Sequence, residues 1–227
     1  MSSTNPGHAR VSLHGASTSG PTARVSREAL AHNARRAYVS GVRAYSPSLL
    51  SADAWGHGAP MVAEVLAAAA ILPSEEGVHV LDPYSLFGLP GGDAACTPAL
   101  HLHGTVLSTK RLRSGEGVSY GYLYRATSDT HIALVTGGYA QGVIRSLGGS
   151  IGVRIGTDIH PVVGRVAMDV CVVDVGDAGV ARGDRAVFFG DPYVGDPSLT
   201  QWSRASGLRV NEIVTMVGLR ASRELSL

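Results

Sequence analysis

Between residues 100 and 190 the sequence is cut into short β-branched or alternating runs separated by turn residues. The runs read LHLHGTVLS, GVSYGYLYR, THIALVTGG, SIGVRI, HPVVGRVAMDVCVVDVG and DRAVFFG. Several strands at such close spacing predict a small antiparallel β-barrel. In the first run, apolar Leu100, Leu102 and Val106 interleave with His101, His103 and Ser108, which predicts one buried and one wet face. Two Gly-Asp-Pro turns, at 190–192 and 195–197, then lead to a helix predicted over 200–205 and to an apolar stretch at 211–217.

The segment before these runs has a different, αβ character. SREALAHNARRAYVSGVR predicts a helix with Ser26 as its N-cap, Glu28 in its first turn and Gly41 as its stop. A short apolar element at 48–54 follows, then the turn Trp55-Gly56-His57-Gly58 and an alanine-rich helix from Pro60, expected to end at Pro73. Pro90-Gly91-Gly92 marks the natural boundary. The fold class expected is α+β, a small antiparallel β-barrel domain carrying a truncated βα N-terminal segment.

At 227 residues and 44% hydrophobic composition the chain buries a real core. A formal charge of +1, from 19 basic and 18 acidic residues spread along the sequence, offers no single-sign field for nucleic acid or anionic lipid. The longest apolar stretch, residues 62–72, contains Glu64 and is too short for a bilayer. Residues 1–22, rich in Ser, Thr, Gly and Pro without a signal-peptide core, are expected to be a disordered tail, and the protein is expected in the cytoplasm. Cys96 and Cys171 lack zinc or disulfide spacing and read as packed thiols. His101 and His103 share one strand face but have no third ligand nearby, so no metal site is expected. Eighteen arginines accompany a single lysine, Lys110, in a polar STKRLR stretch read as a turn. A mechanism that needs a lysine amine therefore has one candidate.

The run from STKRLRSGEGVSYGYLYR through GGYAQGVIRSLG, followed by HPVVGRVAMDVCVVDVG and GDRAVFFGD, is similar in order and spacing to the C-terminal β domain of alanine racemases. ARVSREALAHNARRA, SADAWGHG and VLDPYSLFGL resemble the first helix, the cofactor-lysine turn and the exit from the last barrel strand of that family. A (β/α)8 barrel takes about 250 residues, so residues 23–89 hold at most a remnant of one. The resemblance thus implies a tail at 1–22, a barrel remnant at 23–89 and a C-terminal-like β domain at 90–227.

Alanine racemases use pyridoxal phosphate. What the resemblance implies is a lysine Schiff base on one face of the substrate and a tyrosine from a partner subunit's β domain on the other. Tyr139 in GGYAQG falls on that proton-transfer tyrosine, and Met168 with Asp169 on the substrate-side pair. Gln141 stands in place of the usual aspartate of the tyrosine motif, and Arg145 keeps the later arginine. On the cofactor side, Ser51 occupies the lysine position, Trp55 and Asn211 the positions of phosphate-side tyrosines, and Leu81 that of the arginine on the pyridine nitrogen. A serine hydroxyl cannot condense with an aldehyde to an imine. The expectation is therefore a barrel-deleted racemase homologue with no cofactor, acting as a binding or assembly module. Its expected partners are a second copy or a full-length alanine racemase. The other readings are lending Tyr139 in trans to that racemase, and L-Ala/D-Ala interconversion by unusual chemistry. For His57, between two glycines, backbone bonding in a tight turn is expected over ligation.

Overall fold

The computed structural model describes residues 20–74, 79–119, 121 and 123–226. Most of the expected tail, residues 1–19, lies outside them. Thr22, the last residue of the expected tail, already opens a strand, β1 (Thr22–Ser26), for which the sequence reading had no element. Ser26 nonetheless caps α1 (Arg27–Val39), its hydroxyl accepting from Ala29 N, with Glu28 in the first turn where a carboxylate suits the helix dipole.

The αβ segment is two short parallel strands and their crossover. β2 (Ala44–Tyr45) leads through a 3-10 turn (Pro47–Leu50) into α2 (Ser51–Trp55) and α3 (Ala59–Ala68), and returns as β3 (Leu72–Pro73), parallel to β2. Val80 adds a parallel bridge to Ala44. The apolar element expected at 48–54 is thus the end of the 3-10 turn and most of α2. Ala52, Asp53, Ala54 and Trp55 all have positive φ, between 50° and 55°, so α2 is a left-handed turn that L-residues adopt only under external support. The next helix stops at Ala68, ahead of Pro73, because Ala70 turns to φ 56° and Ile71 N bonds back to Leu66 O. α4 (Pro83–Phe87), capped by Asp82, closes the segment.

Six antiparallel strands then close a barrel in the order β4-β7-β10-β9-β8-β11, with β11 returning to β4. They are β4 (Leu100–Leu112), β7 (Thr130–Thr136), β8 (Gly152–Ile155), β9 (Asp158–Val163), β10 (Val170–Asp174) and β11 (Arg185–Phe189). The GVSYGYLYR run supplies only the two-residue pair β5 (Gly117–Val118) and β6 (Tyr124–Arg125), outside the barrel. HPVVGRVAMDVCVVDVG divides into β9 and β10, with Gly164 at φ 67° at the exit of β9. The STKRL stretch is strand rather than turn: β4 runs to Leu112 because Thr109, Lys110 and Arg111 keep pairing with β7. A register shift between Val106 and Ser108 explains why the apolar and polar positions of this run do not alternate strictly.

After β11, α5 (Leu199–Ser206) and α6 (Val210–Arg220) pack on the barrel, and β12 (Ser222–Ser226) pairs in parallel with β1. β1 also pairs with the start of β4, joining the αβ segment to the barrel sheet. One apolar core runs from Leu30, Val62, Leu66 and Phe87 into Leu102, Phe188, Trp202 and Ile213. Buried Asn33 fastens the junction: its amide donates to Leu86 O at 2.9 Å and Thr97 O at 2.8 Å, and its carbonyl accepts from Thr97 N at 2.9 Å. α6 meets the left-handed turn backbone to backbone, since a Cβ on Gly218 would stand 2.6 Å from Gly56 Cα.

Candidate functional site

Tyr139 opens a 3-10 turn (Tyr139–Gln141) directly after β7, and the loop is zipped to the β9–β10 connection. Gly137 N bonds Asp169 O at 2.9 Å, Tyr139 N bonds Ala167 O at 3.0 Å, and Ala140 N bonds Met168 O at 3.0 Å. Gly138 is required at the crossing, because a Cβ there would lie 2.0 Å from Met168 O. The fold therefore brings Tyr139, Met168 and Asp169 together from stretches nearly thirty residues apart in sequence.

Gln141 fixes this arrangement from its side chain. Its carbonyl accepts from Gly138 N at 3.0 Å, and its amide donates to Asp169 Oδ1 at 2.7 Å. An aspartate at this position has no N–H to offer Asp169, so the glutamine makes a bond that the usual residue cannot. Tyr139 is half-buried and Met168 is 55% exposed. Both line a cavity of about 900 Å³ with Arg145, Arg165, Leu134 and Val172 on its walls. Arg145 holds its guanidinium 5.8 Å from the Tyr139 ring centroid. Cys171 also lines this cavity, but burial pushes its thiol up to about 12, leaving it without nucleophilic character near neutral pH.

A second, separate groove of about 410 Å³ lies between the left-handed turn and α6. Ser51, Trp55 and Asn211 all line it, so three of the four positions read from sequence on the cofactor side meet in space. Leu81, the fourth, is buried in the core at 4% exposure. Support for the strained turn comes from the end of the chain. Asp53 accepts from Ala59 N at 2.7 Å and pairs with Arg223 of β12, whose guanidinium also donates to Gly56 O at 3.2 Å. These bonds outweigh burial and hold the Asp53 carboxyl below its ordinary range.

His57 sits beneath the turn, fully buried. Its Nδ1 bonds the carbonyls of Ala54 and Trp55 at 3.0 and 3.2 Å, and its ring stacks on Phe87 at 4.0 Å. Burial lowers its pKa to about 4, so it is a neutral structural residue, in line with the backbone-bonding expectation. His101 and His103 take different partners: His101 faces Asp196 at 3.7 Å, while Arg185 donates to His103 Nδ1 at 3.3 Å. Among the described residues no group of three or more His, Cys, Asp or Glu stands close enough to hold a metal ion. No described helix is long and apolar enough to cross a membrane. Lys110 is exposed on β4 and does not line the groove.

Sequence reasoning missed the Asp53–Arg223 pair, because its partners lie 170 residues apart and β12 was not foreseen. The AD-W-GHG pattern with its glycines was the one available signal of an unusual turn.

Comparison with known proteins follows this division of the chain. Residues 99–225 match the family model described as alanine racemase, C-terminal domain. The alanine racemase of Mycobacterium leprae (strain TN) is 42% identical over 143 residues, 62% of this chain and 37% of the relative. That of Thermobifida fusca (strain YX) is 40% identical over 141 residues, 62% of this chain and 38% of the relative. The matches thus span less than two fifths of these relatives' length. Among solved structures, alanine racemase from Streptomyces coelicolor A3(2) superposes with a TM-score of 0.79 at 18% identity, covering 92% of this chain and 98% of that one. That from the D-cycloserine-producing Streptomyces lavendulae gives 0.62 at 26% identity, covering 90% and 65%.

Proposed function

The chain belongs to the alanine racemase family through its C-terminal domain, and from that premise we propose that it is a binding and assembly module rather than an autonomous pyridoxal-phosphate racemase. In this reading residues 90–227 are the family's β domain and residues 23–89 a barrel remnant that folds onto it. The observation that carries the reading is Ser51 on the groove. A hydroxyl forms no imine with an aldehyde, and the chain's single lysine stands elsewhere.

The other positions on the cofactor side do not fit it either. The Leu81 side chain, buried in the core away from the groove, offers no charge or N–H for a pyridine nitrogen. Thr215, also on the groove, spends its hydroxyl proton on Asn211 O at 2.7 Å, and Glu212 adds a carboxylate, not a cation, to the same lining. No step of a racemase mechanism is therefore assigned to this chain. The test is to add pyridoxal phosphate to the full chain, record the absorbance spectrum, and assay D-alanine formation from L-alanine. Neither a cofactor band nor product is expected, and saturable appearance of both overturns the reading.

The partner is a second copy of this chain, docked through the face around Tyr139 and Met168. An exposed methionine over a large, partly apolar cavity is the kind of surface that association covers. A second reading rests on the same loop: Tyr139, positioned by Gln141 and the Met168–Asp169 turn, is lent to a full-length alanine racemase that keeps its lysine. Titrating the chain into such a racemase and measuring its rate separates the two, since only the second predicts a change. Either activity belongs in the cytoplasm.

A further inference from the structure

The left-handed turn is at odds with its own sequence. Ala52, Ala54 and Trp55 lose energy at positive φ relative to the right-handed form, and only Asp53 has a short polar side chain of the kind that visits this region. Ala52 and Ala54 are also strong right-handed helix formers. The conformation therefore persists only while contacts from elsewhere over-determine it.

His57, Gly218 and Arg223 supply such contacts, and they differ in kind. From beneath, buried His57 bonds the Ala54 and Trp55 carbonyls. From α6, buried Gly218 packs against Gly56 at the close of the turn. Arg223 instead pairs with Asp53 in the middle of the turn and donates to Gly56 O at 3.2 Å. The Arg223 and Asp53 side chains are 31% and 30% exposed. Arg223 belongs to β12, which among the described strands pairs with β1 alone and has residues 222–225 exposed. A five-residue edge strand is held less firmly than the closed barrel beside it.

We propose that β12 is a strap whose Arg223 latches the Ala52–Trp55 turn in its left-handed form, so that detaching β12 lets the turn relax to the right-handed form and reshapes the groove. Ser51, Ala52 and Trp55 form one wall of that groove, and α6 forms the other. A change of φ in the turn carries Trp55 away from Tyr84 and Phe87, whose rings stand 5.9 and 5.4 Å from its own. The groove thus has a latched and an unlatched shape, and the seating of β12 on β1 selects between them. The latch works in the same way whatever the groove holds.

The experiment compares the full wild-type chain with Arg223→Ala, Arg223→Lys and, as a control on the same strand, Glu224→Gln. NMR supplies two readouts. One is the HN–Hα coupling of residues 52–55, which reports φ. The other is amide hydrogen exchange at Gly56, His57 and Gly58, whose N–H groups donate to the Ala52, Ala54 and Asp53 carbonyls of the turn. In Arg223→Ala the couplings are expected to fall to right-handed values and exchange at the three amides to quicken about tenfold, while the amides of β4, β7 and β10 keep their protection. Lysine, which offers Asp53 a charge without the planar fork, restores part of that protection, and Glu224→Gln moves neither readout. Unchanged couplings in Arg223→Ala overturn the proposal. Faster exchange spread equally over the barrel strands also overturns it, because β12 is then part of the global fold and not a strap. An effect of the same size in Glu224→Gln does so too, since charge on the strand and not the latch is then at work.

Discussion

Gln141 and His57 show how a single side chain settles a local question. Replacing Gln141 by aspartate, the family's usual residue there, removes the donor to Asp169 and sets a second carboxylate beside it. Gln141→Asp is expected to lower stability by about 1 kcal/mol at pH 7. Urea denaturation of the two proteins at that pH checks this. His57 gives a pH dependence of definite sign. Its folded pKa, about 4, lies below the ordinary 6.5, so the unfolded chain takes up the proton first as pH falls. Its contribution is fully present above pH 6.5 and is lost between 6.5 and 4, amounting to about 3 kcal/mol for this fully buried ring. The urea midpoint of wild type is expected to fall across that window, and His57→Phe to fall less steeply.

The left-handed turn and α6 form one unit. Four successive non-glycine residues at positive φ survive because Asp53 caps α3, Arg223 reaches across from β12, and Gly218 lets the helix backbone touch Gly56. Gly218→Ala decides between two opposed effects. Helix propensity favours alanine by about 1 kcal/mol, while a Cβ placed 2.6 Å from Gly56 Cα forces the elements apart at a cost of about 1–3 kcal/mol or more. Net destabilisation of about 2 kcal/mol is expected, measured as a drop in Tm together with altered Trp55 fluorescence. An unchanged or raised Tm means the close approach does not constrain the turn.

In the molecule as a whole, the αβ segment and the barrel share a core that takes in Tyr45 of β2, while both residues of β3 are exposed. The Tyr139–Met168 face is also open. If a second copy covers it, sedimentation velocity should show a concentration-dependent dimer, and Met168→Asp should weaken it at least tenfold without changing Tm, because Met168 lies outside the core. A monodisperse monomer at high concentration sinks the self-association reading.

The strand runs from LHLHGTVLS to DRAVFFG, the Ser26 cap and the family resemblance were legible because each depends on residues adjacent in sequence: alternation, turn chemistry and motif order. The replacement of a lysine position by Ser51 was equally a sequence-level fact, and it constrains the chemistry whatever the fold does. Tertiary structure alone decided the rest. β1 and β12 exist because they pair with each other and β1 with β4, partners that no local pattern announces. Lys110 sits in a strand because β7 supplies the ladder. Ser51, Trp55 and Asn211 share a groove because α6 returns to the left-handed turn, whereas Tyr139 faces a different cavity. Long-range backbone pairing and close packing are what set these placements, and neither has a period that a linear reading can detect.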